Sequence, residues 1–211
     1  MDELKWQPFL NSSGIGVAVK NGIVTLSGIV DSFSLKLSAE RAAKKVAGVR
    51  AIAEDIQIGV SPAYWKTDTE IAEAALDALK WHSAVPEEKI KIKVEDGNVT
   101  LEGEVEWDYQ RTSALSAVQY LSSVRSVNNL ITIKPRLDSF DLEQKISAAF
   151  RRNATVDASK INVSTIGNKV ILTGKVRSLI ESEDAEDVAW AAPGVYDVDN
   201  KLTVKEPELV Y

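Results

Sequence analysis

Residues able to move protons, bind metal or attack a substrate are sparse in this chain. His82 is the only histidine and cysteine is absent from the 211 residues, so no thiolate nucleophile, Cys-type zinc site or multi-histidine metal centre can be assembled. His82 stands beside Trp81 near the end of an apolar-periodic segment, with no nucleophile–base motif around it. The densest acidic run is Glu181, Glu183, Asp184, Glu186 and Asp187. At helical spacing it lies opposite Ala185, Val188 and Ala189, which reads as the solvated side of an amphipathic helix rather than a divalent-cation site. Gly174-Lys175 lacks the upstream glycine of a phosphate loop. The expectation is a protein that is not an enzyme and uses no cofactor and no metal.

The remaining recognisable chemistry is that of surface binding. Lys36, Arg41, Lys44 and Lys45, followed by Arg50, place basic groups along one helix. Each such group near an anionic membrane contributes about 1 kcal/mol of attraction. Apolar side chains recur at the entry to corresponding helices, as Phe33 and Leu35, Trp107 and Tyr109, and Leu179 and Ile180. In the second of these, Trp107-Asp108-Tyr109-Gln110-Arg111 joins two amphipathic rings to a cation, a set that suits a lipid interface, a protein hot spot or an internal staple. Lys91 and Lys93 are expected to be answered by Glu102 and Glu104 across a hairpin.

What must position these residues is a repeat. Lys20-Asn21-Gly22-Ile23-Val24-Thr25-Leu26-Ser27-Gly28 returns as Glu95-Asp96-Gly97-Asn98-Val99-Thr100-Leu101-Glu102-Gly103, and again around Gly167-Asn168-Lys169-Val170-Ile171-Leu172-Thr173-Gly174. A shift of 75 positions aligns the first copy with the second without a gap, and a shift of 71 aligns the second with the third. Three domains are expected, over residues 1–60, 66–134 and 137–205. Short linkers carry Pro62 and Pro135, and Tyr64 and Trp65 in the first are expected to pack between docked domains.

In the second copy, Thr67 or Asp68 caps a helix with Ile71, Ala74, Ala75 and Ala78 on one face, ending near Trp81-His82; in the third, Asp138 or Ser139 caps one carrying Leu142, Ile146, Ala149 and Phe150. Two alternating strands follow, near 89–95 and 98–105 in the second copy, with Ile90, Ile92, Val94, Val99, Leu101 and Val105 on one face. An alanine-rich helix, entered at Ser32, Trp107-Asp108 or Ser178, covers that face, and a last strand ends the unit. The fold class is therefore α+β, three tandem αββαβ two-layer sandwiches. The first copy is expected to be truncated to ββαβ, because Met1 aligns too near Leu4 for a first helix. Its face made by Val17, Val19, Val24 and Leu26 would then be partly bare and a possible route to self-association.

Composition narrows the partners. Net charge is −6, with the acidic excess in the second and third copies and the first near neutral, which disfavours nucleic acid. No apolar run is long enough for a transmembrane segment and no signal pattern opens the sequence. The expected compartment is cytoplasmic or periplasmic, with the cytoplasm favoured.

The turn-Gly-x-Val-Thr-Leu-x-Gly phrase, the alanine-rich helix and Gly194-Val195-Tyr196-Asp197-Val198-Asp199-Asn200-Lys201-Leu202 together resemble the BON domain, named for bacterial OsmY and nodulation proteins, in three tandem copies. Departures are the missing first helix, Glu54 in place of Asn129 and Asn200, and the one-place shift of Gly167-Asn168 relative to Asp96-Gly97. The resemblance implies a non-enzymatic bacterial stress module that binds an anionic phospholipid surface. The alternative it leaves open is a protein-interaction or chaperone-like scaffold of the envelope or cytoplasm. The expected lipid- or partner-binding residues are Trp107, Tyr109, Arg111, Phe33, Lys36, Arg41, Lys44 and Lys45.

Overall fold

The computed structural model describes Glu3 and residues 14–59, 65–134 and 142–205. In chain order the elements are β1 (Ile15–Lys20), β2 (Ile23–Val30), α1 (Phe33–Lys45), β3 (Ala51–Ile58), α2 (Asp68–Trp81), β4 (Ile90–Glu95), β5 (Asn98–Val105), α3 (Asp108–Val118), β6 (Ser126–Ile133), α4 (Leu142–Arg152), β7 (Ile161–Ile166), β8 (Lys169–Val176), α5 (Leu179–Trp190) and β9 (Asp197–Val204). They form three three-stranded sheets, β1-β2-β3, β4-β5-β6 and β7-β8-β9. In the second and third the hairpin is antiparallel and the last strand joins the central one in parallel. The protein is thus α+β and threefold repeated, with one α-helix of the first repeat and two of each of the others lying wholly within the described residues. The expected loss of a first helix falls on residues outside those described, except Glu3, which is helical. The expected caps at Asp138 and Ser139, and Tyr64, also lie outside them. Two compact units result, residues 28–37 with 56–134 and the remainder of the chain, so the first repeat contributes to both.

The hairpin turns follow from their two central residues. Asn21 and Gly22 have φ 52 and 75, and Asp96 and Gly97 have φ 50 and 76. Two left-handed residues in succession make the turn that matches strand twist, and Asn-Gly and Asp-Gly tolerate it best. In the third repeat Gly167 has φ 60 while Asn168 is not left-handed. That turn needs its glycine first, which explains the one-place shift seen in the sequence.

Gly103, with φ 149, pairs with Ile90, and a Cβ there would run into the carbonyl oxygen of Lys89. The closing glycine of the repeated phrase is therefore a site of close backbone approach. The connections that leave these helices for the last strands turn at Gly48, Ser123 and Gly194, all left-handed.

Alternation in β4 and β5 produces one buried face, with Val99 and Leu101 fully enclosed and Lys91 and Glu102 outside. Over it, α2 buries Ile71, Ala75 and Leu79 and α3 buries Ala114 and Val118. The third repeat packs the same way around Ile146, Phe150, Val170, Leu172, Ala185 and Ala189. Burying such aliphatic and aromatic side chains contributes about 1.5–3 kcal/mol each, which is what holds units this small together. Alanine at the helix–sheet contact lets the two layers approach closely.

The asparagine of the repeated last strand fastens that strand to the second helix. Asn129 Nδ2 donates to the Arg111 carbonyl at 3.0 Å and its Oδ1 accepts from Ile131 N at 3.2 Å. Asn200 likewise reaches the Ser182 carbonyl at 3.3 Å and Glu186 Oε2 at 2.9 Å, while accepting from Leu202 N at 3.1 Å. Glu54 occupies this place in the first repeat.

Three expectations change. Val24 and Leu26 are buried, at 5% and 0% exposure, so the bare part of the first sheet face is narrower than expected and centres on Val19. Trp65 is not a packed inter-domain wedge. It stays half exposed with the Arg125 guanidinium 4.3 Å above its ring, a cation–π contact inside the second repeat. Lys93 stands opposite Thr100 and pairs with Glu95 of its own strand at 2.8 Å instead of with Glu104.

Candidate functional site

Helical spacing sorts the basic residues of α1 into two ridges. Lys36, Glu40 and Lys44 follow one another at four-residue steps, and Arg41 and Lys45 form the adjoining row. Lys44 Nζ lies 2.6 Å from Glu40 Oε1 and 2.6 Å from Glu183 Oε1. Burial pushes its pKa down, but the two carboxylates outweigh burial and the pKa is raised. Lys44 is therefore half-buried and neutralised within the protein. Lys36 is half-buried and already engaged. Arg41 and Lys45 are exposed, and Arg50 is exposed beside the turn at Gly22. The basic surface is thus a short Arg41–Lys45 ridge rather than the full row.

At the helix entries, Phe33 is buried at 9% exposure. It belongs to the core and drops out as a surface contact. Trp107 is the half-buried N-cap residue of α3, and its N–H and that of Glu106 both reach Gln110 Oε1, at 3.1 and 2.9 Å. Arg111 is held by Asp108, Nη2 to Oδ1 at 2.6 Å. Tyr109, 55% exposed, is the ring that projects into solvent. Leu179 and Ile180 are half-buried at the matching entry of α5.

The acidic run of α5 is more than a solvated side, because Glu181 is 3% exposed. Its carboxylate accepts from Arg177 N at 2.7 Å, Arg177 Nε at 3.0 Å and Asp157 N at 2.9 Å. Burial pushes its pKa up, yet these hydrogen bonds prevail and the pKa is lowered. Glu181 occupies the place of Gln110 in the second repeat, and both receive amide protons from the strand-to-helix bend. The signal was the Ser178-Leu179-Ile180-Glu181 spacing of a capping box, whose Ser178 Oγ accepts from Glu181 N at 3.3 Å. Sequence reasoning also missed the Gly48 N–H donating to the Arg177 carbonyl at 3.1 Å, which with Lys44–Glu183 ties α1 of the first repeat to the third. Nothing local marks such a long-range pair.

No group of three or more His, Asp or Glu side chains among the described residues is arranged to hold a metal. His82 caps the end of α2, its N–H donating to the Leu79 carbonyl at 3.2 Å. No described helix is long and apolar enough to cross a membrane.

A sheet of this topology backed by helices, repeated three times, defines a class of small tandem α+β modules. The BON domain family model matches residues 1–60, 67–135 and 138–206, and the chain belongs to the BON domain family. It is similar to Osmotically-inducible protein Y of Escherichia coli (strain K12), 29% identical over 146 residues that cover 65% of this chain and 73% of that protein. Among solved structures it matches the C-terminal domain of CdsD, the structural protein of the type III secretion system of Chlamydia trachomatis. There identity is 14%, coverage 91% of this chain and 90% of that one, and the TM-score 0.28. A second CdsD structure matches at 12% identity and TM-score 0.29, covering 98% and 90%.

Proposed function

We propose that this chain is a non-catalytic stress-adaptation protein that binds anionic phospholipid surfaces. The observation that carries the reading is the exposed Arg41–Lys45 ridge on the near-neutral repeat of a chain whose net charge is −6. Two cations at a four-residue step, with no ion pair among the described residues while Lys44 between them is paired, present charge where a membrane could meet it. With Arg50 close by in sequence, attraction of about 1 kcal/mol per cation gives weak, reversible, salt-sensitive adsorption. Tyr109 adds an amphipathic ring of the kind that settles at a headgroup layer. Similarity to an osmotically inducible protein supports the stress context.

Co-sedimentation with vesicles tests this. Pelleting with phosphatidylglycerol-containing vesicles at low salt, reduced by high salt and absent with phosphatidylcholine alone, is the expected outcome. A partner-protein scaffold is the competing reading, favoured by the exposure of Tyr109. It would show no pelleting with either vesicle while Tyr109→Ala abolishes capture of a protein partner.

A further inference from the structure

Helix α1 of the first repeat and α5 of the third carry opposite charges where they meet. Lys44 Nζ reaches Glu183 Oε1 at 2.6 Å, and just beyond the end of α1 the Gly48 N–H donates to the Arg177 carbonyl at 3.1 Å. Around that backbone bond, Lys45 and Ala47 share the walls of an open cleft of about 460 Å³ with Arg177, Ser178, Ile180 and Asp184. The last turn of α1 therefore faces the first turns of α5. One carboxylate of α5 holds Lys44, and a second lines the cleft that Lys45 enters.

The module itself does not require these charges. Under the repeat shifts Arg41, Lys44 and Lys45 fall on Ser116, Gln119 and Tyr120 of α3, and Glu183 and Asp184 fall on Thr112 and Ser113 of the same helix, all uncharged at neutral pH. Yet α3 covers its sheet with Ala114 and Val118 buried, as α5 does with Ala185 and Ala189. The opposite charges thus belong to the contact between α1 and α5 and not to the sandwich.

Such a contact is weak enough to be exchanged. The Lys44 and Glu183 side chains remain 20% and 44% exposed, and an ion pair that open to water is similar in strength to the attraction of one cation for an anionic membrane. Neither partner outcompetes the other by a wide margin. The Gly48-to-Arg177 bond is uncharged, so it keeps α5 beside α1 when Lys44 lets go, and Glu183 competes at the high local concentration of a tethered group. We propose that Glu183 and Asp184 are an internal competitor for the basic end of α1, an autoinhibitory contact that withholds Lys44 from an anionic surface. A surface that displaces them gains Lys44 as a further cation beside Arg41 and Lys45. The inference rests on the lipid reading and gives that site its control.

The test is a titration of the full chain with phosphatidylglycerol-containing vesicles at low salt, read by co-sedimentation. Glu183→Gln/Asp184→Asn is expected to bind about fivefold more tightly than the unaltered chain, the gain that one added cation supplies. Glu73→Gln/Asp77→Asn removes two exposed carboxylates from α2 and so makes the same change in net charge elsewhere; it leaves the affinity unchanged. Adding Lys44→Met to the Glu183→Gln/Asp184→Asn chain returns its affinity to that of the unaltered protein. Equal binding by the unaltered and Glu183→Gln/Asp184→Asn chains overturns the inference and leaves the lipid reading standing. So does a gain that the α2 variant matches, or one that survives Lys44→Met. Binding by none of these proteins overturns the lipid reading and this inference with it.

Discussion

Lys44 Nζ of the first repeat rests 2.6 Å from Glu183 Oε1 of the third, a contact between residues 139 positions apart in sequence. Lys44 is a cation of the expected basic row that the fold turns inward to a carboxylate pair. The contact works with the Gly48-to-Arg177 backbone bond to hold α1 against the third repeat. Glu183→Gln leaves Lys44 its Glu40 partner, so the expected loss is small, about 0.5 kcal/mol, with Glu183 side-chain exposure of 44% keeping it low. A double-mutant cycle of Lys44→Met with Glu183→Gln in urea should give a coupling of that order. A coupling near zero would show that the contact is not populated in solution.

Glu181 makes a different kind of contribution. Its folded pKa is lowered, so its stabilisation is fully present above the ordinary carboxylate range and is lost as pH falls through the folded value. Glu181→Gln, which copies Gln110 of the second repeat, should cost about 1–3 kcal/mol at pH 7 by weakening charge-assisted hydrogen bonds to Arg177 and Asp157. The wild-type and variant melting temperatures should converge as pH falls from the ordinary carboxylate range through the lowered folded pKa of Glu181. Melting curves at several pH values check this, and a constant gap down to the acid limit contradicts it.

The Asp157 carboxyl is lowered as well. Hydrogen bonds from Lys160 and Ser159, foremost the Lys160 side chain, bring its pKa to about 2. Its protonation therefore follows that of the unperturbed carboxylates on acidification. NMR titration of the side-chain carboxyl carbon should place its midpoint near that value, and Lys160→Met should move it upward. A midpoint in the ordinary aspartate range in the native protein would contradict the geometry.

Gly103→Ala should destabilise the second repeat by about 1–3 kcal/mol, since the left-handed backbone and the Lys89 carbonyl both oppose a side chain. Gly167→Ala, where a Cβ meets nothing within 4 Å, should cost only the conformational term of about 1–2 kcal/mol. Chemical denaturation of the two variants ranks them, and an equal cost would mean that the close approach at Gly103 relaxes freely.

Most of the fold was legible because it rests on local rules repeated three times. Alternation in 90–105, the Asn-Gly and Asp-Gly turns and the alanine spacing of the second helices each read directly from neighbouring residues. The site was less legible. Phe33 reads as a surface aromatic until the fold buries it, and Lys44 reads as membrane-facing until Glu183 arrives from the third repeat. Glu181 looks solvated within its acidic run, and only its partners Arg177 and Asp157 make its burial affordable. These outcomes depend on contacts between distant segments, to which helical periodicity is blind.

The central functional claim concerns the Arg41–Lys45 ridge, and the most direct measurement is co-sedimentation of Arg41→Glu/Lys45→Glu with phosphatidylglycerol-containing vesicles beside the unaltered chain. Both residues are exposed, so the fold is retained. The account predicts that the unaltered chain pellets at low salt and that the double variant stays in the supernatant. Equal pelleting of the two proteins, or none of the unaltered chain at low salt, would contradict it.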